Sequence, residues 1–422
     1  MRTITTIQFL LCYFIGIGIT YAQFTLSGEI RPRAEYRHGY KNIPATGQQS
    51  AFYTDQRTRL NAIYGSENVE VKITLQDIRV WGSTNQLQEN GAFNAIHEAW
   101  GRVKFSENFS VKLGRQEIAY DDHRIMGNVG WAQQARSHDA AVFTYNSGIR
   151  ADLGIAYNQE SAGLKNNYYS LNNYKAMQYI WLHKEVEGFK GSVLLLNNGK
   201  EGGNPLDHKT YFSQTIGTRL DYKVSGLSIG GAVYYQTGED YNKTAAAPQD
   251  INANLVNIEA GYAISETTSV KAGLERQSGN DLVNPDNVNN AFTPFYGTNH
   301  KFNGFMDYYY VGNHGGSVGL FDIYFSATQK IGKVSVTGTY HSFGAAADVD
   351  ASTDNNLGGE FDLNFGFKIN PEVGVAGGYS QYFGTDALIA LRNTGDLNEL
   401  NNWGWLMVTI NPTFFKSEKK SE

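Results

Sequence analysis

The stretch from residue 113 to 143, LGRQEIAYDDHRIMGNVGWAQQARSHDAAVF, combines basic and acidic side chains at close spacing. It holds three arginines and four acids, at Arg115, Arg124, Arg136, Glu117, Asp121, Asp122 and Asp139. An arginine guanidinium is planar and always charged, so it can hold a carboxylate through two parallel hydrogen bonds. Rings of arginine and lysine select anions in pores, and neighbouring acids keep such side chains extended. The cluster therefore indicates a site for an anionic solute.

Basic side chains also recur on one face of several short alternating segments. These residues are Arg31, Arg33, Arg57, Arg59, Arg102, Lys104 and Arg219. Two interpretations stay open for them. The arginine–acid pairs only brace a wall, because partly solvated ion pairs often do no more than that, or they brace the wall and also select anions. Strict alternation from Val111 and Leu113 points Arg115 to the opposite face, unless a bulge near Gly114 reverses it.

Other kinds of chemistry find little support in the sequence. The nine histidines are scattered without the spacing of metal ligands, and no Ser–His–Asp arrangement or phosphate-binding loop stands out. The Asn/Asp-rich first half of the segment 281–303 leaves a calcium site open as an alternative. The sequence therefore predicts no enzyme activity, no cofactor and no bound metal, with calcium at the loops as the alternative.

The elements that must position these charges are short strands. In the segment 360–369, EFDLNFGFKI, five apolar residues alternate with polar or small ones, and similar segments of nine to fourteen residues recur along the chain. A strand that crosses a membrane at a tilt requires this length and this period. A soluble sandwich also alternates, so the connections decide between the two folds.

The connections fall into short turns and long polar loops. Short ones lie at 64–68, 105–108, 224–226, 264–267, 330–333 and 369–372, and long ones lie at 79–95, 159–174, 238–252, 279–318, 344–356 and 384–401. Short periplasmic turns and long extracellular loops are typical of outer-membrane barrels. Counting the alternating segments predicts an all-β, transmembrane antiparallel barrel of about 18 strands. Its inner face lines water, so charges there cost little.

The chain ends complete the predicted organisation. Residues 1–22 read as a secretory signal peptide, with Arg2 followed by an apolar run too short to span a membrane. Residues 23–415 form the barrel, and 416–422 form a polar tail. We expect a monomer in the outer membrane of a Gram-negative bacterium, surrounded by lipid. The formal net charge of −6 disfavours nucleic acid as a partner.

Two segments carry a resemblance to a known family. GRQEIAYDDHRIMGNVGWAQQARSHDA resembles the pattern of the alginate-export family of outer-membrane barrels, and FTPFYGTNHKFNGFMDYYY at 292–310 is similar to a second segment of that family. The resemblance implies an eighteen-stranded barrel whose arginine-lined constriction passes an anionic polysaccharide. Carried over by position, it implies roles for Arg115, Gln116, Glu117, Arg124, Gln134, Arg136 and Asp139, and for Tyr296, Gly297, His300, Lys301 and Asp307.

These observations lead to a prediction of function. The chain is expected to be a porin-like channel that passes acidic poly- or oligosaccharide such as alginate by facilitated diffusion. Two alternatives stay open: a general or small-organic-anion porin, and a plugged structural or adhesion barrel without transport. No chemistry and no energy coupling are implied.

Overall fold

The computed structural model describes residues 22–87, 94–241, 248–351 and 354–417. The predicted signal peptide and most of the predicted polar tail lie outside these residues. Twenty strands occur within them: β1 (Gln23–His38), β2 (Ala51–Gly65), β3 (Val69–Val80), β4 (Asn94–Lys104), β5 (Phe109–Gln116), β6 (His138–Asn146), β7 (Arg150–Tyr157), β8 (Ala176–Val186), β9 (Phe189–Asn204), β10 (Asp207–Val224), β11 (Leu227–Asp240), β12 (Gln249–Ala263), β13 (Thr268–Gln277), β14 (Val288–Asn289), β15 (Leu320–Ile331), β16 (Val334–Gly344), β17 (Asn356–Asn370), β18 (Val373–Gly384), β19 (Asn402–Ile410) and β20 (Thr413–Lys416).

Eighteen of these strands form one closed antiparallel wall. Each wall strand pairs with its neighbour in the chain, and β19 closes the barrel on β1, with Arg33 opposite Met407. The remaining two are minor: β14 is a two-residue strand inside a long loop, and β20 continues β19 along β1. The predicted barrel of about 18 strands is confirmed. Closure leaves no free strand edge, which lipid would not tolerate.

The wall is apolar outside and polar inside because the side chains alternate. On β12 the outward Val256 and Ile258 are 40% and 57% exposed, while the residues on either side of Ile258, Asn257 and Glu259, line an interior cavity. The same alternation runs through β10, where Ile216 and Leu220 face outward and Arg219 is buried. These exposed side chains form the surface that lipid covers.

The connections are unequal, as the sequence predicts, with one exception. On one side the strands are joined by tight turns such as 225–226 and 332–333, and on the other side by long loops. The exception is the two-residue connection 205–206 on the long-loop side. There β9 and β10 are longer than predicted and stay paired from Asp207–Asn204 down to Tyr222–Phe189.

Two loops fold into the barrel and fill much of it, which differs from the water-lined lumen that the sequence predicts. We call residues 117–137 the first lumen loop and residues 278–319 the second lumen loop. Ile125 and Met126 of the first loop pack on the wall residues Leu194, Leu196 and Leu255. In a second apolar cluster, the second loop packs its buried residues Met306, Tyr308, Tyr309 and Val318 on Phe343, Tyr382 and Trp403 of the wall. The lumen is wide enough for loops to supply a core.

The helices are short and belong to the loops. They are α1 (Val311–His314), α2 (Asp386–Arg392) and a single 3-10 turn (Asn299–Lys301). In the part of the chain that the structure describes, no helix has the length and apolar character needed to cross a membrane.

A charge on the lipid-facing wall is expected to cost more than the same charge in the lumen. Ile258→Arg places a guanidinium against hydrocarbon and should lower the free energy of unfolding by about 2–4 kcal/mol. Asn257→Arg adds the same group on the inner face of the same strand, where water and Glu259 receive it, and should cost less than about 1 kcal/mol. Denaturant unfolding from lipid vesicles measures both values. Equal costs would contradict the assignment of the two faces.

Candidate functional site: the loop constriction

Four arginines on β1 and β2 form a basic ladder on the inner wall. Arg31 lies directly opposite Arg57, and the neighbouring inward positions pair Glu29 with Arg59 and Arg33 with Asp55. Alternation brings all of them to one face, because every second residue of a strand points the same way. The predicted inward positions of these four arginines agree with the structure.

The ladder holds the first lumen loop by its backbone. Arg31 donates to the carbonyl oxygens of Gly130 at 2.8 Å and Trp131 at 3.2 Å, and also to the side chain of Gln133 at 2.9 Å. Arg33 donates to the Trp131 carbonyl at 2.7 Å, and its guanidinium lies 4.0 Å from the centre of the Trp131 ring. Arg31 and Arg33 of the ladder therefore brace the first lumen loop.

Carboxylates neutralise only part of the ladder. Arg33 pairs with Glu35 at 2.8 Å and with Asp55 at 3.0 Å, and Arg57 pairs with Glu29 at 2.5 Å. Arg31 makes its hydrogen bonds to neutral oxygens, and none of the described carboxylates lies within 4 Å of it in an ion pair. Since a carbonyl carries no net charge, the guanidinium of Arg31 keeps its positive field.

The two family-like segments, far apart in the chain, meet in the lumen. Met126 and Tyr296 form a β-bridge, with hydrogen bonds from the Gly127 amide to the Tyr296 carbonyl at 2.8 Å and from the Tyr296 amide to the Ile125 carbonyl at 3.0 Å. Gly297 permits this approach, because a Cβ there would lie 2.2 Å from the Arg124 carbonyl oxygen. The two lumen loops therefore act as one unit.

Arg136 fixes the same junction from the side. It donates to the Gly297 carbonyl at 3.1 Å, and its guanidinium lies 5.9 Å from the centre of the Tyr296 ring. Burial lowers the pKa of the Arg136 guanidinium below its ordinary value. Its contacts are with the second lumen loop and not with an open passage.

Two further arginines join the lumen loops to the opposite wall. Arg124 pairs with the buried Glu275 of β13 and donates to Asn303 at 2.8 Å. Arg219 of β10 binds Asp122 of the first lumen loop at 2.5 Å, and it also pairs with Asp221 and Glu259. The first lumen loop is thus held to β10 and β13 by ion pairs, and to the second lumen loop by the hydrogen bond from Arg124 to Asn303.

Buried acids of β17 hold the second lumen loop. The Met306 amide donates to Glu360 at 2.7 Å, and the Phe305 amide donates to Asp362 at 3.3 Å. Within the loop, His300 hydrogen-bonds Asp307 at 2.8 Å. Burial opposes ionisation of Asp307, but His300, Tyr40 and Lys41 outweigh it and keep the pKa of that carboxyl below its usual value.

The loops leave separate cavities on their two sides. The outer cavity, of about 490 Å³, lies on the long-loop side, and the inner cavity, of about 770 Å³, reaches the short turns. His300 and Asp307 line the outer cavity, whereas Lys301, Phe302 and Asn303 line the inner one. The segment 300–307 therefore forms the constriction between them.

The two cavities differ in charge. Four cations and two carboxylates line the outer cavity, namely Arg33, Arg37, Lys41, Arg79, Asp55 and Asp307. Glu35 is bonded to Arg33 and Arg37, and Asp77 pairs with Arg79, so these four cations are balanced by four carboxylates. The excess positive charge comes from Arg31, which is bound to neutral oxygens of Trp131 and Gln133 in the cavity lining. Three lysines and four acids line the inner cavity, namely Lys223, Lys271, Lys301, Asp122, Glu259, Glu275 and Asp322. Arg124 and Arg219 pair with three of these acids, and Asp221 pairs with Arg219, so the charges of the inner cavity balance. An anion is attracted to the outer cavity.

Two predicted lumen residues lie on the wrong face. Arg115 and Asp139 pair with each other at 3.0 Å on the outside of the wall, with side chains 42% and 63% exposed. Gly114 has φ +118°, yet the pairing of β4 with β5 runs through it without a bulge, so the alternation set by Leu113 continues. The prediction that Arg115 and Asp139 line the lumen is therefore wrong. Gln116, one position on, points inward and is fully buried.

The other predicted residues have mixed positions. Glu117 lies inside, bonded to His97 at 2.7 Å and to Asn128 at 2.9 Å. Arg102 pairs with Glu70 at 2.9 Å, and it lines a small recess near the short turns together with Lys104. Gln134 lines the outer cavity.

Sequence reasoning missed three cations of the outer cavity, namely Arg37, Lys41 and Arg79. Arg37 continues the inward alternation of β1, so the pattern could have found it. Lys41 follows the end of that strand in a loop, where alternation gives no signal.

The absence of a bound metal remains a prediction from the sequence. Among the described residues, no group of three or more His, Cys, Asp or Glu side chains is arranged to hold a metal ion.

A closed 18-stranded antiparallel barrel with an apolar outer wall and loops folded into its lumen defines a porin-like protein of the bacterial outer membrane. Solved structures of Pseudomonas aeruginosa proteins share this fold. OccK3 (OpdO) is 12% identical with a TM-score of 0.61, covering 93% of this chain and 96% of its own. OccK2 (OpdF), solved with glucuronate, is 12% identical with a TM-score of 0.58, covering 93% and 97%. OpdK, solved with vanillate, is 11% identical with a TM-score of 0.58, covering 93% and 99%.

The comparisons correct the resemblance to the alginate-export family. No family model matches the chain, and no curated protein matches it either. The solved structures named above are OccK and OpdK proteins and not alginate exporters. Short motifs rich in Arg, Gly, Trp and Asp misled the assignment, because lumen loops of unrelated barrels need the same residue types for turns and ion pairs.

Removing Arg31 is expected to loosen the first lumen loop. Arg31→Met deletes its hydrogen bonds to the carbonyl oxygens of Gly130 and Trp131, each worth about 1.5–3 kcal/mol when one partner is charged. Amide hydrogen exchange in residues 128–136 should therefore become faster by about tenfold or more. The control Arg102→Met removes an equal side chain that pairs with Glu70 near the short turns. Exchange that is unchanged in Arg31→Met would contradict the bracing role.

Proposed function

We propose that the protein is an outer-membrane diffusion channel for small organic anions. The observation that carries this proposal is the outer cavity on the long-loop side, where four lining cations stand beside Arg31, a further cation that is bound to neutral oxygens. Cavities of about 490 and 770 Å³ suit small molecules. The proposal assigns no catalytic step to the chain and treats it as a monomer in lipid.

The similar structures support the choice of small anions. OccK2 (OpdF) was solved in complex with glucuronate and OpdK with vanillate. Both ligands are small carboxylates, and both proteins share the barrel fold of this chain. At 11–12% identity their ligands do not transfer residue by residue, so the class of solute rests on the charge of the outer cavity together with this likeness.

The geometry suggests how such a solute passes. Cations at the outer cavity attract the anion and replace part of its hydration. The constriction at 300–307 admits only a narrow solute. The charges of the inner cavity balance because Arg124 and Arg219 pair with its acids, so an anion is released there instead of being held. Transport by diffusion requires weak binding of this kind.

A barrel closed by its own loops is the second candidate. The buried contacts of Met306 and Phe305 with Glu360 and Asp362 favour it, because they hold the constriction across the lumen. Such a barrel would carry no ionic current.

Single-channel recording in planar bilayers distinguishes the two candidates. In a salt gradient, a reversal potential whose sign indicates anion preference is expected. A complete absence of current from correctly inserted protein would support the closed barrel, and cation preference would contradict the proposal.

Neutralising a cation of the outer cavity is expected to weaken this preference. Arg37→Gln removes one positive charge from the cavity lining and should lower the anion-to-cation permeability ratio by about twofold, because the local potential sets the local ion concentration. The matched control Lys184→Gln removes the same charge from the outer wall of β8 and should leave the ratio unchanged. Equal effects of the two variants would show that the net charge of the protein, and not the cavity, sets the selectivity.

A further inference from the structure

Lys41 has an unusual backbone in the loop that follows β1. Its φ is +71°, in the left-handed region that favours glycine and asparagine. Gly39, two residues earlier, has φ +96°, and a Cβ at that position would lie 1.9 Å from the Asn401 side-chain oxygen. At position 41 a long basic side chain occupies such a conformation. A residue kept in an unfavourable conformation is a reason to ask what its side chain does.

The second lumen loop fixes this conformation. The Lys41 amide donates to the Met306 carbonyl at 2.9 Å, and the Asn313 side chain donates to the Lys41 carbonyl at 2.8 Å. The Met306 amide is in turn held by Glu360. The backbone of Lys41 is thus positioned by the same contacts that build the constriction, and its side chain lines the outer cavity.

The Lys41 ammonium lacks the partner that the neighbouring cations have. Its nitrogen lies 5.0 Å from the centre of the Tyr310 ring and 5.5 Å from that of Tyr40. In contrast, Arg37 pairs with Glu35 at 2.8 Å. Across the residues that the structure describes, no carboxylate comes within 4 Å of the Lys41 ammonium. Aromatic rings attract a cation without cancelling its charge.

Asp307 lines the same cavity and interacts with the charge of Lys41, but both of its oxygens already accept hydrogen bonds. Asp307 accepts hydrogen bonds from the Tyr40 hydroxyl and from His300, the latter at 2.8 Å. The ammonium of Lys41 therefore has donors left over for an incoming group. An ammonium offers three donors, and a carboxylate is the acceptor that gains most from them.

We infer that Lys41 is the residue that binds the solute carboxylate in the outer cavity. This inference rests on the proposed function, since it names the contact by which the channel holds its anion. Tyr40 and Tyr310 position the ammonium, and the strained backbone keeps it at the level of the constriction. If Lys41 had only a structural role, as a brace between the two rings, Lys41→Asn would leave the block by benzoate unchanged.

Interruption of single-channel current by benzoate tests the inference. In the wild-type channel, benzoate should interrupt the chloride current in a concentration-dependent way, while neutral benzamide should not. Lys41→Asn should raise the half-blocking benzoate concentration by about tenfold, as expected for loss of one charge-assisted hydrogen bond at a hydrated site. Lys41→Arg should stay within about threefold of wild type, because it keeps the charge.

The choice of variants keeps the result interpretable. Asparagine tolerates a left-handed backbone, so Lys41→Asn is not expected to disturb the fold. Lys184→Asn removes a lysine from the outer wall of β8 and should leave the benzoate block unchanged. Unaltered block in Lys41→Asn, or equal loss in Lys184→Asn, would overturn the inference.

The failures of the inference and of the proposed function differ. If the wild-type channel showed no anion preference, the proposed function would fail. If it were anion-selective and blocked by benzoate, but insensitive to Lys41→Asn, only the assignment of Lys41 would fail.

Discussion

Lipid cannot hydrogen-bond a peptide group, and this constraint determines the architecture. The chain meets it by pairing every wall strand with two neighbours and closing β19 on β1. Closure with eighteen strands creates an interior too wide for wall side chains alone to fill. The two lumen loops occupy part of that space. Their apolar residues pack on apolar stretches of the inner wall, so the barrel contains a core of its own beside its aqueous cavities.

Arginine is suited to hold loops in such an interior. Arg31 and Arg33 bind main-chain oxygens of the first lumen loop, while Arg124 and Arg219 bind acids across the barrel. The distinction matters for electrostatics. A guanidinium bound to carbonyl groups braces the loop and keeps its charge, whereas one bound to carboxylates loses most of its long-range field. Bracing and anion attraction are therefore compatible in the ladder of β1 and β2, where both kinds of contact occur.

The wall could be predicted from the sequence, and the interior could not. Alternation is a local property, so segments such as 360–369 reveal both the strand and its inward face. The inward Arg31 and Arg57 followed from it, and the outward Arg115 also obeyed it, against the expectation drawn from the motif. The meeting of Tyr296 with Met126 depends on contacts between distant loops, which carry no period. The position of Lys41 in the outer cavity could not be predicted either, because a left-handed residue other than glycine has no reliable sequence signal.

The long hairpin of β9 and β10 has a consequence for the shape of the cell-surface rim. These strands have 16 and 18 residues, whereas a tilted strand needs about nine to eleven to cross the hydrocarbon layer. The surplus extends as a ribbon whose peptide groups are already paired, and its tip is only the pair 205–206. This side of the barrel mouth is therefore a rigid, hydrogen-bonded hairpin. It offers proteases little of the unpaired, extended chain that they cleave.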